Sequence, residues 1–420
     1  MRTGPWLASL LFLLPAACNA QPSAQPGPDR TGPSQTGNAQ SATPPSPQAS
    51  AAVADVAAGG HRESGMRPFI ATPMASFDEP WAMTFIGDGP YALVTERKGK
   101  LILIDTSNGA KHEITGLPDI DYGGQGGFGD VVMAPDSDST DKLHPIYLSW
   151  VEAGKGNTRG AVVARADLLL NGMAETIASL HNLRIIWRQE PKVSGRGHFS
   201  HRIAVAPDGR HIFISSGERQ KFDPAQDMTV NLGKILRLNL DGSVPKDNPF
   251  ADKGGVTAQI WSLGHRNILG LAFDKDGNLW EDEMGPQGGD EVNLVTRGGN
   301  YGWPEVSNGS HYGGGNIPDH APEDGFIPPK LWWNPSVSPS GMAYYNGALF
   351  PHWRNSLLVG TLSGRALMRL KIKDGQPIKS NFWSMQARIR EVETGPDGAV
   401  WLLEDGTNGR LLKLTPKPKK

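Results

Sequence analysis

From Met66 onward the chain alternates short apolar runs with tight-turn dipeptides. YALVTE, LILID, IFISSG, LAFDKDGNLW, LLVGTLSGRALMRLKI and VWLLED repeat their apolar side chains at a period of two, the spacing that turns one face of a strand toward a core. Turn signals recur beside them at Gly87-Asp88-Gly89, Pro135-Asp136, Pro207-Asp208-Gly209, Asp276-Gly277, Asn346-Gly347 and Pro396-Asp397-Gly398. With the acidic or amide residue as marker, positions 88, 136, 208, 276, 346 and 397 are separated by 48, 72, 68, 70 and 51 residues. Six units of this length suit four-stranded blades that close into a ring. The pattern predicts an all-β, six-bladed β-propeller over residues 66–417. A large β-sandwich or two β-domains compete with it, but no linker-like change of composition follows residue 66. The one helix-like stretch, GMAETIASL at 172–180, is expected to decorate a loop.

The 52 Gly and 34 Pro in 420 residues argue against long helices. Lys and Arg number 41 against 43 Asp and Glu, so no nucleic-acid footprint is expected and any charge that matters must be local.

The N-terminal MRTGPWLASLLFLLPAACNA (1–20) places Arg2 ahead of an apolar run from Trp6 to Leu14, followed by small residues up to Cys18. The run is too short to span a bilayer and is expected to be an export signal. Cys18 is the only cysteine, which excludes a disulfide framework and a thiolate metal site from the exported domain. Its setting, LPAAC, resembles the lipobox of bacterial lipoproteins, with Pro15 where Leu is usual. That resemblance implies lipidation of Cys18, a periplasmic location on the outer membrane, and membrane contact through the lipid alone. Residues 21–65 are rich in Pro, Ser, Gln and Ala and poor in large apolar side chains. They are expected to form a disordered tether.

Loops of a propeller converge at the mouth of its central channel, so polar clusters just ahead of strands are the candidates for chemistry. GRGHFSHRI (195–203) carries His198 and His201. In a regular strand this spacing sends the two rings to opposite faces, which disfavours a shared zinc ion. Arg266 and Asn267 stand in LGHRN. Arg388 and Arg390 in ARIREV point the same way and repel unless an anion lies between them; either a polyanionic ligand or neighbouring carboxylates, Glu391 included, would answer that. GPQGGDE (285–291) offers turned-out carbonyls next to acids, oxygen donors of the kind Ca²⁺ accepts.

Together these segments resemble the soluble PQQ-dependent aldose and glucose dehydrogenases. LGKILRLNLDGSVPKDNPF (232–250), LGHRN, GPQGGDEVNL and GGNYGWP (298–304) occur in that family's order. The resemblance implies a six-bladed propeller that oxidises aldoses to lactones, with His198 as general base and PQQ and Ca²⁺ as cofactors. It assigns Gln125 to cofactor and substrate, Arg266 and Asn267 to the quinone, and Ser336, Arg388 and Arg390 to PQQ. The carbonyls of Gly285 and Pro286 are implied as calcium ligands, and Arg365 stands in for a family lysine replaced by Ser363. An aspartate before the family's histidine is here Gly197, and a sugar-lining tryptophan aligns with Asn334. The implied electron acceptor is a quinone or a cytochrome, and His201 and Arg202 are expected to be structural. Two other readings remain open at this point: a calcium-dependent propeller lactonase, and a non-enzymatic, membrane-tethered binding module.

Overall fold

A computed structural model describes residues 64–136, 143–171 and 177–418. The expected export signal and nearly all of the expected tether lie outside the described residues. Six four-stranded antiparallel sheets follow one another along the chain, with a two-stranded ribbon between Gln287–Gly288 and Gly309–Ser310. Their innermost strands are Pro80–Phe85, Phe128–Met133, Ser200–Val205, Ile268–Phe273, Pro339–Tyr345 and Ile389–Thr394. Each sheet is one propeller blade, and each of the six turn markers falls in the hairpin that leaves an innermost strand.

The ring is closed by the first strand. Phe69–Phe77 pairs with Gly409–Pro416, from Phe69 opposite Pro416 to Phe77 opposite Gly409. The N-terminal strand thus becomes the outer edge of the last blade, and no inter-blade seam is left with an unpaired edge there. Between blades the core is apolar: Trp81, Phe128, Trp150, Trp280, Trp333 and Trp401 are all buried.

All six innermost strands carry a register shift at their first residues, the shifts falling at Pro80/Ala82, Phe128/Val131, Ser200/Ile203, Ile268/Gly270, Pro339/Met342 and Ile389/Glu391. Such bulges turn a strand and re-aim its side chains. Here they gather the entry loops over one end of the channel. The bulge also changes the geometry expected at His198 and His201. Regular alternation fails because His198, Ser200 and His201 have φ of 47°, 57° and 61°, so a period-two argument does not apply to them. His201 lies buried, stacked on Trp81 at 5.1 Å and bonded to Ser149 Oγ at 2.8 Å. It is structural.

Arg202 occupies the axis. Its guanidinium lies over Trp81 at 4.0 Å, Nε donates to Leu269 O at 2.6 Å, and Nη1 pairs with Glu391 and, at 3.5 Å, with Asp130. A Cβ at Gly341 would stand 2.7 Å from Glu391 Oε1. Inner strands of five blades therefore meet at one buried charge, and the remaining blade joins through Gly341 against Glu391, which is again a structural role.

Residues 172–180 depart from expectation. Ile177–Arg188 is a strand paired with Arg159–Asn171, and Ala178 and Leu180 are buried in the core; residues 172–176 lie outside the described set. Pairing with a long neighbour overrides weak local helix preference.

Removing Arg202 would strand two buried carboxylates. Arg202→Ala is expected to cost about 3–5 kcal/mol, measurable as a fall in the urea midpoint.

Candidate active site

Loops from every blade form a closed circuit of contacts at the bulged end of the channel. Arg97, in the second turn of the first blade, donates to Gly124 O and, at 3.3 Å, to Gly126 O. Gln125 N donates to Arg196 O, and Gln125 Oε1 accepts from His198 N at 2.7 Å. Ser200 Oγ reaches Asn267 Oδ1 at 3.3 Å, and Glu218 N donates to Arg266 O. Asp290 joins the fourth and fifth blades. It accepts from Gly285 N on one side and from Ser336 Oγ, Val337 N and Ser338 N on the other, at 2.6–3.0 Å. Ser340 Oγ donates to Arg390 O, and Glu79 N to Gly406 O closes the circuit through Arg97 N to Glu79 O.

His198 is 6% exposed, and its Nδ1 is bonded to Glu218 Oε1. The other oxygen of Glu218 accepts the backbone N–H groups of Lys221 and Phe222, at 2.5 and 2.7 Å. A carboxylate can only accept, so Glu218 assigns the proton to Nδ1 and leaves Nε2 with a free lone pair. Burial pushes the His198 pKa below its ordinary value; Glu218 opposes the shift, and Arg266 and Arg219 reinforce it. Burial would raise the Glu218 carboxyl, yet His198 and the Phe222 N–H hold it below the usual range. The pair is therefore a neutral imidazole on an ionised carboxylate near neutral pH. Glu218 was not singled out from sequence. It lies twenty residues from His198, and the pairing of Ser200 with Ser216, continued by the bonds of Gly217 N to Phe199 O and Arg219 N to His198 O, brings the two segments together.

Arg266 projects along Met284 O at 2.9 Å and over the Trp303 ring at 5.2 Å, and its Nε is buried without a partner. Arg266 N and Asn267 N are both held by Glu283 Oε2. Gly285 and Pro286 are buried. A Cβ at Gly285 would overlap the carbonyls of Gly288 and Gly289, so this turn crowds oxygens together. Glu283 and Glu291 line the same narrow cleft as Arg266, Gly285 and Tyr301, and ligand atoms of His265, Glu281 and Glu283 lie within 4.8 Å of one another. Burial and mutual repulsion raise Glu281 and Glu291 well above the ordinary carboxyl value. A hard cation that prefers oxygen would relieve that strain. The donor set fits calcium.

Of the two answers to the Arg388–Arg390 repulsion, a neighbouring carboxylate is present, though it is Asp405 and not Glu391. The anion between Arg388 and Arg390 is a protein carboxylate: Asp405 binds Arg388 Nε at 2.7 Å and Arg390 Nε and Nη2 at 2.9 and 2.8 Å. Glu391, the acid next to them in sequence, pairs instead with Arg202. Repulsion alone therefore does not demand an exogenous polyanion. Arg388 is nonetheless largely exposed while Arg390 is mostly buried, and one carboxylate cannot neutralise two guanidiniums. Arg365 is exposed with φ 49°, and no hydrogen bond or ion pair joins its guanidinium to another described residue. Ser363 Oγ instead bonds Ser338 Oγ at 2.8 Å. Asn334 packs against Gly288, where a Cβ would lie 2.8 Å from its amide carbon.

The structure thus brings Gln125, His198, Arg266, Asn267, Gly285, Pro286, Ser336, Arg365, Arg388 and Arg390 to one end of the channel. A family model described as Glucose / Sorbosone dehydrogenase matches residues 77–413. The chain belongs to this family. The aldose sugar dehydrogenase YliI of Escherichia coli K12 is 36% identical over 345 residues, spanning 81% of this chain and 91% of that one. The apo-form crystal structure of the soluble aldose sugar dehydrogenase from Escherichia coli superposes with TM-score 0.77 at 35% identity, covering 83% of this chain and 100% of the other. The PQQ-bound aldose sugar dehydrogenase of Streptomyces coelicolor superposes with TM-score 0.68 at 26% identity, covering 82% and 97%. Family membership and a propeller ring closed by Phe69–Phe77 leave the β-sandwich reading without support.

Asp290 holds four donors from two blades. Asp290→Ala is expected to destabilise the fold by at least about 3 kcal/mol through unsatisfied buried groups, read as a lower midpoint in thermal unfolding.

Proposed function

We propose that this family member oxidises aldoses at the anomeric carbon to lactones, using PQQ and Ca²⁺, with His198 as the general base. The observation that carries the proposal is the buried His198–Glu218 pair opening beside Arg266. Before reaction, Nε2 is the free acceptor, and its neutral state is maintained by burial and by the nearby guanidiniums. The ring can take the proton of the anomeric hydroxyl while hydride leaves the same carbon, so the sugar gives a proton to the imidazole and a hydride, two electrons with the second hydrogen, to the oxidant. Glu218 then stabilises the imidazolium that results. Arg266 lines the cleft beside this pair and sets its positive charge against negative charge developing on oxygen. Bound at this site, PQQ supplies a quinone that accepts the hydride.

Charge favours a tricarboxylate ligand here. Arg266 and Arg365 have no carboxylate ion-pair partner among the described residues, and Arg388 and Arg390 share a single one, Asp405. Three positive charges remain for three carboxylates. Gln125 and Ser336 would border the ligand, Arg365, Arg388 and Arg390 would hold its acid groups, and Gly285 and Pro286 would offer calcium their carbonyls. The family relationship favours this reading over the lactonase and the binding module. Export, lipidation at Cys18, residence at the periplasmic face of the outer membrane, and a quinone or cytochrome as electron acceptor belong to the same proposal and rest on the N-terminal pattern and on the family.

Purified protein given PQQ and Ca²⁺ is expected to reduce a dye with a panel of aldoses; no reduction and no rise in melting temperature would overturn the proposal. His198→Gln should lower kcat by about 10²–10⁴-fold, with KM little changed. For the wild type, kcat/KM should fall as pH drops through a His198 pKa below the ordinary 6.5, because only the neutral ring accepts the proton. Arg388→Ala should weaken PQQ binding by about tenfold to a hundredfold, measured by titrating the cofactor into apo-protein.

A further inference from the structure

Beside His198 lies a second buried charge that the catalytic reading leaves unused. Arg219 is fully buried, and no carboxylate among the described residues forms an ion pair with it. Its donors go to carbonyl and amide oxygens: Nε to Gly197 O at 2.9 Å, Nη2 to Gly195 O at 2.7 Å, and Nη1 to Arg159 O at 2.7 Å and Gln189 Oε1 at 3.4 Å. Its backbone N–H donates to His198 O at 3.2 Å, and the guanidinium lies 3.7 Å from the centre of the Phe199 ring. Three of these bonds fall on the four residues that end in His198. An unpaired buried guanidinium is expensive unless its donors are satisfied and its charge serves a purpose. Burial pulls the Arg219 pKa down to about 9, which still leaves it charged near neutral pH.

We propose that Arg219 is a positioning residue for His198: its rigid fork clamps the carbonyls of Gly195 and Gly197, next to its own backbone bond to His198 O, and holds the imidazole in the left-handed backbone conformation that turns it to the channel mouth. At φ 47° His198 occupies a region an ordinary residue enters only when its surroundings impose it. The fork supplies that constraint from below, as Glu218 supplies it from the ring. The charge has a second effect. Glu218 faces His198 and favours the protonated ring, whereas Arg266 and Arg219 face it and oppose protonation. Arg219 thereby offsets part of the carboxylate's pull and keeps the base available. A lysine could supply the charge but not the planar fork that spans Gly195 O, Gly197 O and Arg159 O.

This inference rests on the proposed role of His198, and its test includes a readout free of turnover. Arg219→Gln removes the charge and Arg219→Lys removes the fork. In apo-protein with labelled histidine, His198 of R219Q is expected to titrate at higher pH than in wild type, and that of R219K close to wild type. With PQQ, Ca²⁺ and an aldose, kcat of both variants should fall by about tenfold to a hundredfold, with KM little altered. The acid limb of the pH profile should move upward in R219Q alone. A folded R219Q whose His198 titrates as in wild type overturns the proposal, and so does a folded R219K with unchanged kcat. Should either variant fail to fold, the other decides by its own criterion. If His198→Gln retains full activity, the base assignment fails while the titration still reads the effect of Arg219.

Discussion

The axis of the ring depends on one guanidinium. Arg202 is almost wholly buried, and the groups around it come from the inner strands of the other blades: Trp81, Asp130, Leu269 and Glu391, with Gly341 beneath the last. A propeller has no single sheet to hold its blades together, so each blade must find a shared partner at the centre. An apolar plug would fill that space without distinguishing one blade from another. Charged groups with directional donors impose a rotational register as well. Glycines on the inner strands make room for them: a Cβ at Gly129 would overlap His201, and one at Gly270 would overlap Asp282.

That layer forms the floor under the candidate active site. It is built from the bulges themselves, since Trp81, Asp130, Arg202, Leu269 and Gly341 lie inside the register shifts and Glu391 ends one, and the functional groups follow as a belt of loops. Positive φ at His198, Ser200, His201 and Ser338 shows that the belt is held in conformations the local sequence would not choose by itself. The hydrogen bonds of Asp290, Glu218 and Arg219 to backbone groups supply the compensation. Stability and chemistry are thus coupled: the carboxylates and guanidiniums that shape the loops also set the charge state of the imidazole.

Electrostatics separates two regions of the mouth. On the side of Arg365, Arg388 and Arg390 guanidiniums outnumber their partners. On the side of Gly285, Glu283 and Glu291 acids and carbonyls are crowded together, and burial with repulsion from Glu283 raises the Glu291 carboxyl. One region suits an anion and the adjacent one suits a hard cation, the polarity expected of a site that draws electrons toward a bound acceptor.

The blade count was legible from the chain, because alternation at period two and turn dipeptides are local properties that survive whatever the blades pack against. The residue types gathered at the mouth were legible for the same reason: each stands just ahead of a strand or, like Arg390, at its first residues. The partners were not. Asp405 between Arg388 and Arg390, Glu218 on His198, Asp290 across two blades and Glu391 on Arg202 are set by contacts over tens to hundreds of residues, and no spacing in the chain encodes them. The bulges escaped detection too, since a bulge is a relation between two strands. Local pattern therefore determined the number of blades and which loops could be functional, whereas the closed ring decided which charge faces which, because pairing between distant strands is fixed only when every blade is in place.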